Sequence, residues 1–361
     1  MRIKRKILFL SGMHFFKNEL LKALTYLLHT SPLYLPPNLI DARMTLHCNL
    51  KCRQCPAWKT NHSELSTELW KKIILDIKSY IGSYFIRFYG GEPFCRNDFL
   101  ELINFCSHND IATLITTNGT LNDKSIAQRL AKEQLALINI SLDGINPETH
   151  DALRGVQGTH QKVMQAIEYL QGKVPIQINT TIIDDNVDEI LNLSEFAYKN
   201  KIQISFQGLV NLESDAGKFD FQTKAHYLFP KDRTKIDYIV DELCKRKKYN
   251  SAIVNSRTQL KQLQLYYTNS SRLQKKFCGA VRNNHLIIKE KGDVFICSLF
   301  KPVGNLTKMS IREIWRSEDT AKIMRAMNEC EVKHCLVMRG YCNESIRDKI
   351  AKVKRCILNK L

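Results

Sequence analysis

From Leu39 onward, short apolar and β-branched runs alternate with longer stretches in which apolar positions recur every three or four residues. The runs Leu39–Thr45, Tyr84–Phe88, Ala112–Thr116, Leu137–Ser141, Ile176–Ile183 and Ile202–Phe206 have the length and composition of strands. The stretches Glu64–Tyr80, Asn97–His108, Asp123–Glu133, His160–Gly172 and Val187–Asn200 have the period of helices. A strand-helix repeat implies crossover connections, which pair the strands in parallel. Six such units predict an α/β fold, a partial (β/α)6 barrel with parallel strands. In such barrels the working residues gather at the C-terminal ends of the strands.

The pattern differs on either side of this repeat. Phe16, Leu20, Ala23, Leu24 and Leu27 form one helical stripe opposite Lys17, Lys22, Thr25 and His29, and Pro32, Pro36 and Pro37 end it. The basic start, with Arg2, Lys4, Arg5 and Lys6, is followed by an apolar run too short and interrupted for a signal peptide. No run of about 18 apolar residues, enough to span a bilayer, occurs. Residues 213–277 are helical in pattern, polar and basic, with their densest charge at 245–248. In the tail, Ile346, Ile350, Val353 and Ile357 again share a helical face against basic residues.

Charge sharpens this division. The formal net charge is +18, and all of the excess lies in residues 1–40, 218–277 and 343–361. The intervening segments are balanced, so the basic character speaks of an acidic surface or partner and not of the chemistry. Two basic amphipathic ends suggest docking on an anionic membrane surface; no specific nucleic acid is expected. Twelve cysteines in a chain of 361 residues point to metal or catalytic thiols in a reducing compartment. The expected location is cytoplasmic, with peripheral contact at the inner membrane surface.

The candidate chemistry sits where the barrel would put it. The first strand runs into Cys48-x3-Cys52-x2-Cys55, three thiols within eight residues. Structural zinc takes four ligands, usually two close pairs; three soft thiolates on one loop suit an iron–sulfur cluster with one iron left open. After the second strand come Gly90, Gly91, Glu92 and Pro93. Two glycines let the backbone come near a ligand, and the carboxylate can take an ammonium group. After the third strand lies Asn118, and after the fourth Ser141 and Asp143, then His150 to Arg154 and Gly155. Asn118 and Ser141 suit ribose hydroxyls, and Arg154 suits a carboxylate.

Taken together over residues 44–183, this series resembles the radical SAM superfamily. The resemblance implies a 4Fe-4S cluster on Cys48, Cys52 and Cys55 whose open iron binds S-adenosylmethionine, with Gly90, Gly91, Glu92 and Pro93 at the methionine amine. Asn118, Ser141, Asp143 and Arg154 take further contacts to the same molecule. It also implies reductive cleavage to a 5′-deoxyadenosyl radical, which takes a hydrogen atom from the substrate. Gln54, before the third cysteine, departs from the aromatic residue common there.

A second cysteine group follows: Cys278, Cys297, Cys330, Cys335 and Cys342. Gly292, with four residues between it and Cys297, suits a hairpin turn whose second strand carries a ligand. The group resembles the twitch/SPASM extension of the same superfamily, and implies one auxiliary 4Fe-4S cluster on Cys278, Cys297 and two of Cys330, Cys335 and Cys342. Cys95, Cys106 and Cys244 are expected to pack as small apolar residues. The expected organisation is an N-terminal basic helix (1–38), the barrel (39–212), basic bridging helices (213–277), the small cysteine-rich domain (278–342) and a basic C-terminal helix (343–361).

Relatives with this extension modify ribosomal peptides, oxidise sulfatase active-site residues or dehydrogenate small sugars and cyclitols. The short N-terminus leaves no room for a leader-binding domain, and Ser298, after Cys297, stands where sulfatase maturases have an acid. A small polar or lipid-linked substrate is therefore expected, with a peptide next, and flavodoxin or ferredoxin as electron donor. The alternative from another class is a non-catalytic metal-binding protein that docks through its basic segments to nucleic acid or an acidic surface.

Overall fold

The computed structural model describes residues 36–37, 39–60, 63–209, 226–273, 278 and 285–330. The helix expected from Phe16 to Leu27 and the basic helix of 343–361 lie outside these residues, as do Cys335 and Cys342. Among the described residues no helix is long and apolar enough to cross a membrane.

Six parallel strands form where the alternation predicts them: β1 (Leu39–Thr45), β2 (Phe85–Gly90), β3 (Ala112–Thr117), β4 (Leu135–Ser141), β5 (Ile176–Ile182) and β6 (Gln203–Gly208). They pair in chain order, each parallel to the next. Helices α1 (Thr67–Ile81), α2 (Phe99–His108), α3 (Lys124–Leu130), α4 (Pro147–Arg154), α5 (Thr159–Leu170) and α6 (Ile190–Lys199) connect them. Side chains nucleate several helix starts: Ser66, Asp123 and Asn146 each accept a backbone N–H from the first turn.

The two faces of the sheet differ sharply. On β1, Ile40, Ala42 and Met44 are fully buried against the helices, and Ile86, Phe88, Ile138, Ile140, Ile178 and Ile204 continue that layer. This is the main core, closed by Trp70, Ile74, Ile77, Phe99 and Leu102 from the helices. The opposite, concave face carries Asp41, Arg43, Arg87, Asn139, Gln177 and Gln203. A packed eight-stranded barrel fills that space with branched apolar side chains; here polar side chains share it with Leu114 and Leu137.

Beyond β6 come α7 (Arg233–Arg246) and α8 (Arg257–Thr268), helical as expected. Their basic residues are largely engaged. Lys231 pairs with Asp184 and Lys235 with Asp188, while Arg246 donates to the Leu191 carbonyl and Lys247 to that of Ile253. The basic run at 245–248 is thus mostly structural.

The C-terminal segment is joined to the barrel through the sheet itself. β7 (His285–Ile288) pairs in parallel with β1, and β8 (Asp293–Phe295) and β9 (Gly304–Asn305) follow antiparallel, giving the order β6-β5-β4-β3-β2-β1-β7-β8-β9. Gly292 turns the β7–β8 hairpin at φ +87°, as its position predicts. Helices α9 (Ile311–Arg316) and α10 (Glu318–Asn328) complete this part. Polar pairs tie the junction: His285 Nε2 lies 2.7 Å from Asp41, and Arg43 binds Glu290 at 2.7 and 3.2 Å. Burial would raise the Asp41 carboxyl, but Arg87 and His285 outweigh it and hold it well below the usual carboxylate range.

Candidate active site

The loop carrying Cys48, Cys52 and Cys55 leaves the end of β1 and is clamped on two sides by backbone. On one side the turn after β2 reaches it, with the Gly91 N–H donating to Thr45 O at 2.8 Å and the Glu92 N–H to His47 O at 2.8 Å. On the other, the C-terminal turn of α4 accepts Lys51 N at Arg154 O (3.1 Å) and Arg53 N at Leu153 O (3.0 Å). Such proximity requires glycine. A Cβ on Gly90 would stand 2.1 Å from Thr45 O, and one on Gly155, at φ +70°, 2.3 Å from Lys51 O. Gly90 and Gly91 therefore bring backbone against the cysteine loop, where the sequence suggested an approach to a ligand.

Glu92 also faces inward. It is fully buried, and its carboxylate accepts from Asn118 N (2.7 Å), Thr117 Oγ1 (2.8 Å) and Phe94 N (3.1 Å). Burial pushes its carboxyl up to about 7 despite these bonds. Its side chain braces the end of β2 to the end of β3. Pro93 is buried in the short turn that follows. Asn118 is likewise committed: its amide donates to Asn49 Oδ1 at 2.9 Å and stands 3.9 Å from Cys48 Sγ, while its oxygen accepts from Thr120. It supports the cysteine loop from the side where a ribose contact was expected.

Asp143 and Arg154 form a third support. Asp143 has no exposure; it accepts from Thr181 N at 3.0 Å and Gln54 Nε2 at 3.1 Å, and pairs with Arg154 Nη2 at 2.7 Å. Arg154 Nη1 lies 3.9 Å from Cys52 Sγ. Arg154 ends α4 and is buried, which excludes a solvated surface charge. Gln54 serves this bracket, so its departure from an aromatic residue has a structural use. Ser141, like Gly90 and Gly91, is half-exposed; it lies at the end of β4 beside Asn179 of β5.

The donors fit an iron–sulfur cluster. Burial pushes the Cys48 thiol up to about 12 and raises Cys55, so both stay protonated until a metal displaces the proton. Among the described residues no three Cys, His, Asp or Glu side chains converge on a position for one ion. Two buried polar atoms beside the loop, Arg154 Nε and Gln54 Oε1, lack a protein partner.

Cys106 and Cys244 are buried as expected, but Cys95 is half-exposed. It ends the short turn after Glu92, where the Asn49 N–H donates to its sulfur, so the turn folds it onto the cysteine loop instead of into the core. In the C-terminal segment Cys278 is buried, Cys297 follows β8 and Cys330 follows α10; these three do not form a three-donor group. The sequence reading assigned no role to Asn49, Thr120, Thr117 or Gly155. Gly155 had a usable signal, a glycine directly after a helical stretch.

Comparison with known proteins agrees with this geometry. Residues 43–197 match the radical SAM superfamily, and residues 278–342 match the SPASM iron–sulfur cluster-binding domain. The chain belongs to the radical SAM superfamily. It is 26% identical over 343 residues to the AdoMet-dependent heme synthase of Methanosarcina barkeri, covering 89% of this chain and 96% of that one. It is 33% identical over 165 residues to the mycofactocin maturase MftC of Mycolicibacterium smegmatis, covering 45% and 41%. Other relatives too are matched over less than half their length. The native anSMEcpe structure with bound AdoMet and Cp18Cys peptide superposes with a TM-score of 0.63 at 20% identity, covering 90% of this chain and 100% of that one. At that identity the likeness shows the fold. As a radical SAM protein with a SPASM domain, the chain is an enzyme that uses 4Fe-4S clusters and S-adenosylmethionine.

Proposed function

We propose that Cys48, Cys52 and Cys55 hold the cluster that S-adenosylmethionine approaches, and that the substrate loses a hydrogen atom within the concave face of the barrel. When bound, the cluster supplies the electron that splits S-adenosylmethionine to a 5′-deoxyadenosyl radical. The protein's part is positional. Gly90, Gly91, Pro93 and Glu92 hold the loop from the β2 side, Asn118 from β3, and Asp143 with Arg154 from β4 and α4. Ser141 faces the ribose. The observation that carries this reading is the clamp itself, three separate strand ends converging on one three-thiol loop.

Cys278 and Cys297, with two of Cys330, Cys335 and Cys342, hold an auxiliary cluster in this reading. The substrate is a small polar or lipid-linked molecule, with a peptide second, and a flavodoxin or ferredoxin delivers the electron. The test is anaerobic reconstitution of Cys48→Ala, Cys52→Ala and Cys55→Ala. Each variant is expected to lose 5′-deoxyadenosine formation while keeping roughly half the iron, because the second cluster is bound elsewhere. Cleavage retained in any of the three refutes the assignment.

A further inference from the structure

Four thiols, not three, gather beyond the ends of β1 and β2. Cys106 and Cys244 are closed in the core, whereas Cys95 is half-exposed in the turn that follows Glu92. Both its neighbours are anchored. The Phe94 ring meets that of Phe99 edge-on, with centroids 4.9 Å apart, and Arg96 donates to Glu64 at 2.9 Å and to Asp98 at 2.7 and 3.0 Å. The turn itself is bonded to the cysteine loop, since the Cys95 N–H donates to Glu92 O at 3.0 Å and the Glu92 N–H to His47 O at 2.8 Å. Cys95 therefore holds a fixed position beside the residue that precedes Cys48.

Backbone N–H groups of the loop point at these sulfurs in turn. Leu50 N donates to Cys48 Sγ at 3.5 Å, Asn49 N to the sulfur of Cys95, and Ala57 N to that of Cys55. Asn49 and Leu50 are consecutive, so the sulfurs of Cys95 and Cys48 share one stretch of the loop. After burial, the groups that raise the Cys48 thiol are Cys52, Glu92 and Cys95, which puts a charge on Cys95 within reach of Cys48. An independent sign comes from Arg154, which is 8% exposed and has Nη1 3.9 Å from Cys52 Sγ. Its buried Nε has no protein partner, a donor left for a group that the loop is built to hold.

We infer that Cys95 is a fourth, exchangeable ligand of the first cluster, closing the iron that the three loop cysteines leave open until S-adenosylmethionine displaces it. The inference rests on the proposed function, because it adds a ligand to the cluster placed there. Iron–sulfur sites favour soft thiolates, so a fourth thiol held at the loop competes for the remaining iron. Cys95 gives up its proton to bind and takes one back on release. A chelating amine and carboxylate bring two donors against one, so the cap yields to the cofactor and covers the site in its absence. With the capped form about nine-tenths populated, the apparent affinity for S-adenosylmethionine is about tenfold weaker than it is without Cys95.

The test uses the anaerobically reconstituted full chain, without reductant, and iodoacetamide as the probe. Cys95 is the one cysteine of the tryptic peptide 88–96, so mass spectrometry reads its alkylation alone. Its labelling is expected to be about tenfold slower with the clusters bound than in metal-free protein, and to recover when S-adenosylmethionine is added. A thiol merely shaded by the cluster would be covered further by the cofactor, so slower labelling on addition, or no change, overturns the inference. Cys95→Ala is expected to bind S-adenosylmethionine about tenfold more tightly in equilibrium dialysis, and equal or weaker binding also overturns it. Iron on the first loop, taken as the difference from Cys48→Ala, reports the proposed function separately. If that iron is present and Cys95 labels freely, this inference alone falls; if it is absent, the proposed function falls with it.

Discussion

Gly155 and Gly158 make a controlled pair for testing how the cysteine loop is held. Both have left-handed backbone, at φ +70° and +77°, so an alanine at either costs about 1–2 kcal/mol in conformation alone. Their surroundings differ. A Cβ at Gly158 meets nothing within 4 Å, whereas at Gly155 it lies 2.3 Å from Lys51 O and must push that carbonyl roughly 1 Å away to reach ordinary contact. That shift breaks the bonds of Lys51 N and Arg53 N to the end of α4, about 0.5–1.5 kcal/mol each. Gly155→Ala is expected to destabilise by about 2–5 kcal/mol against about 1–2 for Gly158→Ala. Anaerobic urea unfolding measures the difference, and iron per chain and 5′-deoxyadenosine yield measure its consequence. Gly155→Ala should lose much of the iron on the first loop and most of the cleavage, with Gly158→Ala near wild type. Equal losses in both variants, or full iron retention in Gly155→Ala, refute the clamp.

Glu92 supplies a pH signature. Its carboxyl is raised in the folded protein from an ordinary 4.5 to about 7, so its contribution is full below about 4.5 and is lost as pH rises through 7. Relative to Glu92→Gln, the wild type should lose up to about 3 kcal/mol of stability between pH 5 and 8; denaturation curves of equal slope in both proteins would contradict it. In the C-terminal segment, Cys297→Ala is expected to remove roughly half the iron while leaving 5′-deoxyadenosine formation detectable. Loss of all iron there would argue for one shared cluster.

The barrel and the cysteine loop were legible because their signals are local. Strand bounds follow from runs of β-branched residues, and β1 agrees residue for residue with its expected span, Leu39–Thr45. Three thiols in eight residues announce a metal site before any folding. The supports around them were not legible, because they join distant positions: Gln54 meets Asp143 89 residues away, and Arg154 meets Cys52 across 102. Period alone could not say whether Glu92 and Asn118 turn toward a ligand or toward the protein. The polar pattern of Asp41, Arg43, Gln177 and Gln203 was visible as alternation, yet which face it occupied depended on the register of neighbouring strands. The pairing of β7 with β1 escaped notice because a four-residue apolar run carries little periodicity, and His285 on β7 meets Asp41 across 244 residues.

That late partner fixes an order of events during synthesis. β1 is among the first strands to leave the ribosome, but its outer edge stays unpaired until residues 285–288 arrive, nearly the whole barrel later. Through that interval a row of backbone N–H and C=O groups on the strand that leads into the cysteine loop is open to other chains. A fragment ending at residue 212 keeps that edge bare permanently, and sedimentation should show it self-associating where the full chain does not. Monomeric behaviour of the fragment would show that β1 needs no cover. The strand that covers the outer edge of β1 is thus made long after β1 itself.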